Sequence, residues 1–548
     1  MSDEAFSRAA TVHAGRVVGA QPFPCDDGVI SGQPRTVDIA CARKPAALAA
    51  TIVGSSMAFI DGSVVNVALP SIQTELAASV SAMQWTVNAY LLTLGALVLV
   101  GGSLGDKLGR RNIFVTGIAL FTAASVACGL APNVAALIAA RAVQGVGAAL
   151  LVPSSLAIIG AVFPDAERGR AIGTWAGVGA IMAAIGPVAG GWLVDVWSWR
   201  AIFFMNVPLA VVTIALALYA VPNSHNVDGP RELDWAGAVV AALGLGALAY
   251  GLTAASERSA AGTAALAWAG AGVLMLAAFI AIEARSRNPM MPLDVFHSRD
   301  FVGVNLVTLL LYFALGGVFF FLPFTLIRAY GYTATQAGAA LLPLPVVIGS
   351  LSRVAGGLTD RFRARALLTI GPLIAGIGFA LLALPDVRTP YWLGFFPALI
   401  VLGFGMTLTV APLTTTVMAA VPERRSAVAS GINNAVARVA GLLAVAVLGI
   451  VFVFSYQAAL ASRLERLQVP PEQRHALLTL QPLASSQDER GDSGERALAA
   501  VGAEPRSTRE VDAAIAADAI RAALRAVALV GAACAFGAAV LAAATIRG

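Results

Sequence analysis

Fourteen apolar segments, each long enough to cross a bilayer, constrain this chain more than any other feature. They begin near residues 46, 84, 112, 134, 168, 201, 233, 262, 301, 335, 364, 391, 425 and 515. A hydrocarbon core about 30 Å thick takes about 20 residues of helix, and in lipid every backbone N–H and C=O needs a partner within the protein. The apolar runs are continuous rather than alternating, so helices are expected and strands are not. Charge agrees: 12% of the 548 residues are charged and 58% are hydrophobic, where a soluble chain carries about 25% charged residues. The expected class is an all-α polytopic membrane protein with 14 transmembrane helices in the lipid bilayer.

The same residues exclude several functions. The net charge of +5 comes with no basic stripe and interleaved aromatics, and the chain has two lysines, Lys44 and Lys107, so no nucleic-acid partner is expected. Neither lysine follows a glycine, which removes the P-loop that an ATP-driven pump needs. His13, His225, His297 and His475 all fall outside the apolar segments, and Cys25, Cys41, Cys128 and Cys534 show no CxxC spacing. No metal, cofactor or disulfide framework is expected, and the chain does not read as an enzyme. A non-transporting membrane sensor survives these exclusions.

Basic residues in the short loops set the orientation. With the amino terminus inside, the inner loops hold fourteen of them, and the short outer loops hold only Arg200, Arg258, Arg328 and Arg388. Both termini are therefore expected in the cytoplasm of a multi-pass protein of the cytoplasmic membrane. Residues 1–45 read as a disordered cytoplasmic tail. The polar stretch at about 456–512 reads as an extracytoplasmic loop with one amphipathic helix.

The chain also repeats itself. "GGSLGDKLGRR" (101–111) closes the second span and "AGGLTDRFRAR" (355–365) the tenth, with Asp106 and Asp360 254 residues apart. Gly145 and Gly403 open two further similar stretches, 258 residues apart. Two six-helix halves, 46–220 and 301–548, with two inserted helices in 221–300, account for both offsets. Parallel halves with a site near the midplane are a transporter architecture.

Five motifs carry a family resemblance. "DGSVVNVALPSI" (61–72), "GSLGDKLGRR" (102–111), "RAVQGVGAA" (141–149), "GPVAGG" (186–191) and "WRAIFFMNVP" (199–208) occur in order. The chain resembles the major facilitator superfamily, and within it the fourteen-span drug:proton antiporters of the EmrB/QacA type. The resemblance implies the major facilitator fold and proton-coupled export of small amphipathic compounds or drugs by alternating access. Small-molecule substrate and protons are then the partners, and a periplasmic adaptor protein stands open. A dedicated exporter of one metabolite or antibiotic is the nearest rival.

Physical readings stand beside the resemblance. In the 102–111 loop, Gly102, Gly105 and Gly109 permit a tight turn and close helix approach, while Asp106, Arg110 and Arg111 supply charges for a gate latch. Asp360 and Arg361 are its second copy, and topology alone is the bland alternative. Gly186, Pro187, Gly190 and Gly191 permit close packing of the fifth span and a seal on the outer side.

Asp61 is the costliest residue, since a charge at mid-membrane is unfavourable by roughly 2.5–3.5 kcal/mol on insertion scales. It lies roughly 22 Å up from the inner end of span one, and Arg141 lies roughly 11 Å down from the outer end of span four. These depths agree within about one helical turn. A low dielectric favours a neutral carboxyl group and an approaching arginine favours the charged one, so the pair suits proton coupling. A permanent ion pair that fixes packing is the alternative. Met57, Asn66, Gln144, Asn434 and Arg438 are candidate cavity-lining residues. The run 311–324, "LYFALGGVFFFLPF", reads more readily as lipid- or core-facing than as substrate contact.

Overall fold

The computed structural model describes residues 43–224, 234–255, 262–286, 289, 291–358, 362–386, 389–422, 426–466 and 505–547. Expectations for the amino-terminal tail, for Asp360 and Arg361, and for the amphipathic helix in the last loop lie outside the described residues. Those described are helical with short connections, and thirteen helices are long and apolar enough to cross a membrane, with a bent pair as the fourteenth span.

The first six spans are α1 (Lys44–Glu75), α2 (Val80–Leu108), α3 (Arg110–Gly129), α4 (Val134–Val162), α5 (Asp165–Val196) and α6, the last in two pieces, Ala201–Phe204 and Asn206–Ala220. Next come α7 (Trp235–Ala254) and α8 (Gly262–Arg285). The remaining spans are α9 (Arg299–Tyr330), α10 in two pieces (Ala334–Ala340 and Pro343–Leu358), α11 (Ala364–Leu381), α12 (Phe395–Ala419), α13 (Ser426–Arg466) and α14 (Pro505–Thr545).

Local chemistry places several of the starts. Ser79, Asn133, Asp234, Ser298 and Thr333 each accept a hydrogen bond from a backbone N–H of the first helical turn, satisfying a donor that the helix itself leaves open. At Thr333 the cap is reciprocal, with Gln336 returning a bond to the Thr333 N–H. The α2–α3 connection is one residue, Gly109, at φ 101°, where an L side chain is strained. α2 itself bends by 52° between Val98 and Val100. The bend precedes Gly101, where an added Cβ would stand 2.0 Å from the Ala149 carbonyl oxygen of α4.

Helices α1 to α6 pack on one another, chiefly α2 and α3 on α4 and α1 on α5 and α6. Helices α9 to α14 form a second group, with α9 on α13 and α14 and α11 on α12 and α14. α7 and α8 pair as a hairpin laid against α2 and α13. The two bundles meet through α5 with α10, α2 with α13, and α1 with α9.

One expected boundary needs correction. The last loop does not begin at 456 or run to 512: α13 continues to Arg466 and α14 begins at Pro505. These extensions carry charge, which masks them as loop in a hydropathy reading. The α13 extension packs on α14: Leu460 and Leu464 are buried, and Arg463 pairs with Asp518 of α14. The 311–324 run lies mainly in the core, with Leu311, Phe320, Phe321, Leu322 and Phe324 all buried.

Candidate functional site

Asp61 and Arg141 meet. The Arg141 Nη1 donates to Asp61 Oδ2 at 2.5 Å, and both side chains are at most 1% exposed. Gln144, one turn along α4, completes a triangle: its Nε2 donates to Asp61 Oδ1 at 2.8 Å and its Oε1 accepts from Arg141 Nη1 at 2.7 Å. The Arg141 Nε donates to the Thr86 carbonyl at 3.1 Å, and the guanidinium lies over the Tyr90 ring at 4.4 Å. Each carboxylate oxygen thus has a donor, and the cation has three acceptors and a π face. Such complete pairing is what a buried ion pair requires, because an unpaired charge in low dielectric is far costlier than the pair.

The other candidates distribute around this cluster. Met57, one turn before Asp61, is fully buried in the core of the first bundle rather than on an open surface. Gly62 is exposed and has open space where a side chain would stand. Asn66 is half-buried, and its Oδ1 has no hydrogen-bond partner among the described residues. From the second bundle, Arg438 is half-buried and packs its Cβ toward Gly95 of α2, within electrostatic reach of Tyr90. Asn434, one turn earlier, is exposed and bonds the Ser430 carbonyl of its own helix.

The GPVAGG stretch lies between the two bundles. On one side α5 touches α1: a Cβ at Gly186 would stand 2.4 Å from Ser63 Oγ, and one at Gly190 would stand 1.8 Å from Val64 Cγ2. On the other side it touches α10: a Cβ at Gly191 would meet the Ala334 carbonyl at 2.4 Å, and Gly338 lies against the Pro187 carbonyl. Glycine is required there because two backbones come together with no room for a side chain. Just beyond, Asp195 caps the first turn of α10, accepting from the backbone N–H of Ala334 and Thr335 at 3.1 and 2.8 Å. At the same end Arg328 of α9 donates to the Pro70 carbonyl and to Thr74 Oγ1 of α1. Arg200 and Trp199 hold Glu75 nearby. The end that carries Arg200 is therefore where these polar contacts join the bundles.

The 102–111 loop occupies the opposite end. Arg110 Nη2 donates to Asp106 Oδ1 at 2.8 Å and its Nη1 to the Ala157 carbonyl of α4. Arg111 donates to the Val221 carbonyl, and the Arg110 N–H to the Ser224 carbonyl. These bonds stay within the first bundle. Gly102 and Gly105 face Pro153 and Ser154 of α4.

A family model described as Major Facilitator Superfamily matches residues 51–445. The chain belongs to the major facilitator superfamily. Among similar proteins, Multidrug resistance protein Stp of Mycobacterium tuberculosis is 35% identical over 438 residues, 78% of this chain and 80% of that protein. A puromycin resistance protein of Streptomyces alboniger is 36% identical, over 76% of this chain and 83% of its own length. The tetracenomycin C resistance and export protein of Streptomyces glaucescens is 32% identical, over 74% and 75%. A solved bacterial homologue of the human lysosomal transporter Spinster superimposes with a TM-score of 0.63 at 17% identity, covering 93% of this chain and 99% of that one. That likeness bears on the fold.

Some contacts of this major facilitator chain were not visible as a motif. Thr86 acts through its backbone carbonyl, which no side-chain pattern reveals. Tyr90 looks in sequence like any apolar residue of span two. Gln84 and Asn88 did carry a signal, since two carboxamides one turn apart in an apolar span are unusual. Both are fully buried, and all four of their polar side-chain atoms lack a hydrogen-bond partner among the described residues.

Proposed function

We propose that this protein exports small amphipathic compounds across the cytoplasmic membrane in exchange for protons, by alternating access. The observation that carries the reading is the buried Asp61–Arg141–Gln144 triangle, one turn from the Gly190–Val64 contact at which α5 packs on α1. A proton on Asp61 would cancel its charge and release Arg141 toward its remaining acceptors. Loss of that proton would restore the pair. Because α1 carries both Asp61 and the surface on which α5 rests, a change at the carboxylate reaches the seam with α10 through contiguous packing. Residues 1–45, 46–220, 221–300 and 301–548 serve as tail, first half, inserted pair and second half. The orientation places both termini and the Asp106–Arg110 loop in the cytoplasm, as the basic-residue asymmetry supports. Contacts at the Arg200 end then close the outer side. Asp106 and Arg110 latch the cytoplasmic side in the opposite state.

Relatives named for resistance to a single antibiotic, such as tetracenomycin C and puromycin, support a narrower reading, export of one antibiotic-like compound. Both readings share the coupling chemistry. Proteoliposomes with an imposed pH gradient test it: uphill flux is expected from the unmodified protein and none from Asp61→Asn. Full uphill flux by a well-folded Asp61→Asn protein would sink the proton-carrier role.

A further inference from the structure

At the Arg200 end of the second bundle lies another polar site, remote from Asp61. A cavity of about 500 Å³ opens between the turn after α11, the end of α9, the last turns of α13 and the 518–525 stretch of α14. Its charged lining is Arg463, Arg466, Arg521 and Arg525 against Asp386 and Asp518. Four guanidinium groups face two carboxylates, an excess of two positive charges. Asp518 is shared, pairing with both Arg463 and Arg521. The Arg521 side chain is 9% exposed, and its buried Nη1 is ion-paired with Asp386 Oδ1 at 3.5 Å but makes no hydrogen bond among the described residues. Arg466 and Arg525 are exposed at the mouth.

A buried guanidinium N–H that has only a long ion pair to an exposed carboxylate, and no hydrogen bond, gains from a ligand that supplies an acceptor. Arginine forks suit oxyanions, phosphate above all, because two parallel N–H groups match two oxygens. The cavity wall is also half apolar. Leu384 lines it and is 70% exposed, and Trp392 and Leu393, a few residues on, are exposed too. Positive charge at the mouth and bare apolar surface beside it describe a ligand with an anionic head and a hydrocarbon body.

We infer that this cavity binds the phosphodiester headgroup of an anionic phospholipid. Arg466 and Arg525 supply the charge, and Arg521 Nη1 donates to a phosphate oxygen. The bound lipid bridges the turn after α11 to the last turns of α13 and the 518–525 stretch of α14. Placing it in the outer leaflet rests on the proposed orientation; the anion site itself does not.

Binding is read without transport, so failure here and failure of the export reading are distinguishable. The full chain in neutral detergent is titrated with phosphatidylglycerol, phosphatidylcholine or inorganic phosphate and followed by native mass spectrometry and thermal unfolding. Phosphatidylglycerol is expected to bind and raise the melting temperature, with phosphatidylcholine at least tenfold weaker. Arg466→Gln with Arg525→Gln, two exposed positions, should weaken phosphatidylglycerol at least tenfold while folded yield is kept. Arg285→Gln with Arg299→Gln, the same charge change at the opposite end, should leave it unaltered. Arg521→Gln should weaken binding as well. Undiminished binding to the Arg466/Arg525 variant overturns the site. Equal protection by inorganic phosphate alone overturns the lipid and leaves a free oxyanion as the ligand.

Discussion

Two faces of α2 bury polar groups and treat them oppositely. Toward α4, the Thr86 carbonyl and the Tyr90 ring receive Arg141, within a cluster where each charge has its partner. Toward α13, Gln84 lies on the backbone of Gly449, and neither its amide nor that of Asn88 has a hydrogen-bond partner among the described residues. The first face lies inside one bundle. The second lies on the seam between two. A cluster that stays dry must be complete, since nothing else will satisfy it. Groups on a seam that parts in the other half of a transport cycle are wetted there, and are left unpaired only while the seam is closed.

The largest effect is expected at the satisfied face. Arg141→Ala leaves the Asp61 carboxylate buried without its cation, a loss on the order of 3–5 kcal/mol for a broken buried pair. Thermal unfolding in detergent should show a marked fall in stability, and pH-driven flux should cease. Asp61→Asn keeps shape and most hydrogen bonding, so the protein should stay folded and lose uphill flux while passive exchange persists. If the neutral pair Asp61→Asn with Arg141→Gln transports uphill at the normal rate, the charges serve packing alone.

Next is the seam itself. Gly191→Val places side-chain atoms where the Ala334 carbonyl would be 2.4 Å from the new Cβ. The bundles should then fail to close at the Arg200 end, lowering export at least tenfold in a folded protein. A cysteine at Thr335, which bonds Asp195 across this seam, should react faster with an impermeant thiol reagent in that background. Unchanged labelling would mean that α5 does not seal against α10.

The orphaned face should respond in the reverse sense. Gln84→Leu with Asn88→Leu removes unsatisfied amides at similar volume, so the closed form should gain about 1–3 kcal/mol per group. A higher melting temperature with slower turnover is the expected pair of readouts. A lower melting temperature would reveal a hydrogen-bonding role for the two amides in the closed form. The smallest effect is expected at Asp106→Asn, which should leave yield unchanged and slow export several-fold, because its bonds to Arg110 stay within one bundle. Export at the normal rate would reduce that loop to a topological anchor.

Much of this protein was legible in its sequence, for reasons that differ by feature. Spans and class follow from continuous apolar length, because a bilayer leaves helices as the solution for such runs. The polar run from 456 reads as loop because hydropathy reports lipid contact, whereas helix α13 continues to Arg466 through packing on α14. Asp61 and Arg141 stood out because charge is rare in such segments, and equal depth brought them near one another by helical rise alone. Depth says nothing about azimuth. That Gln144 would close the triangle, that Met57 would turn into the core, and that Thr86 would serve through its backbone were decided by how α1, α2 and α4 rotate against each other. The sequence by itself therefore determined the fourteen spans and the identity of the costly charges, since both are local properties of chain and solvent. Tertiary structure alone decided which polar groups are satisfied and which are left orphaned, because a hydrogen bond needs two partners within about 3 Å, and no single helix can supply both.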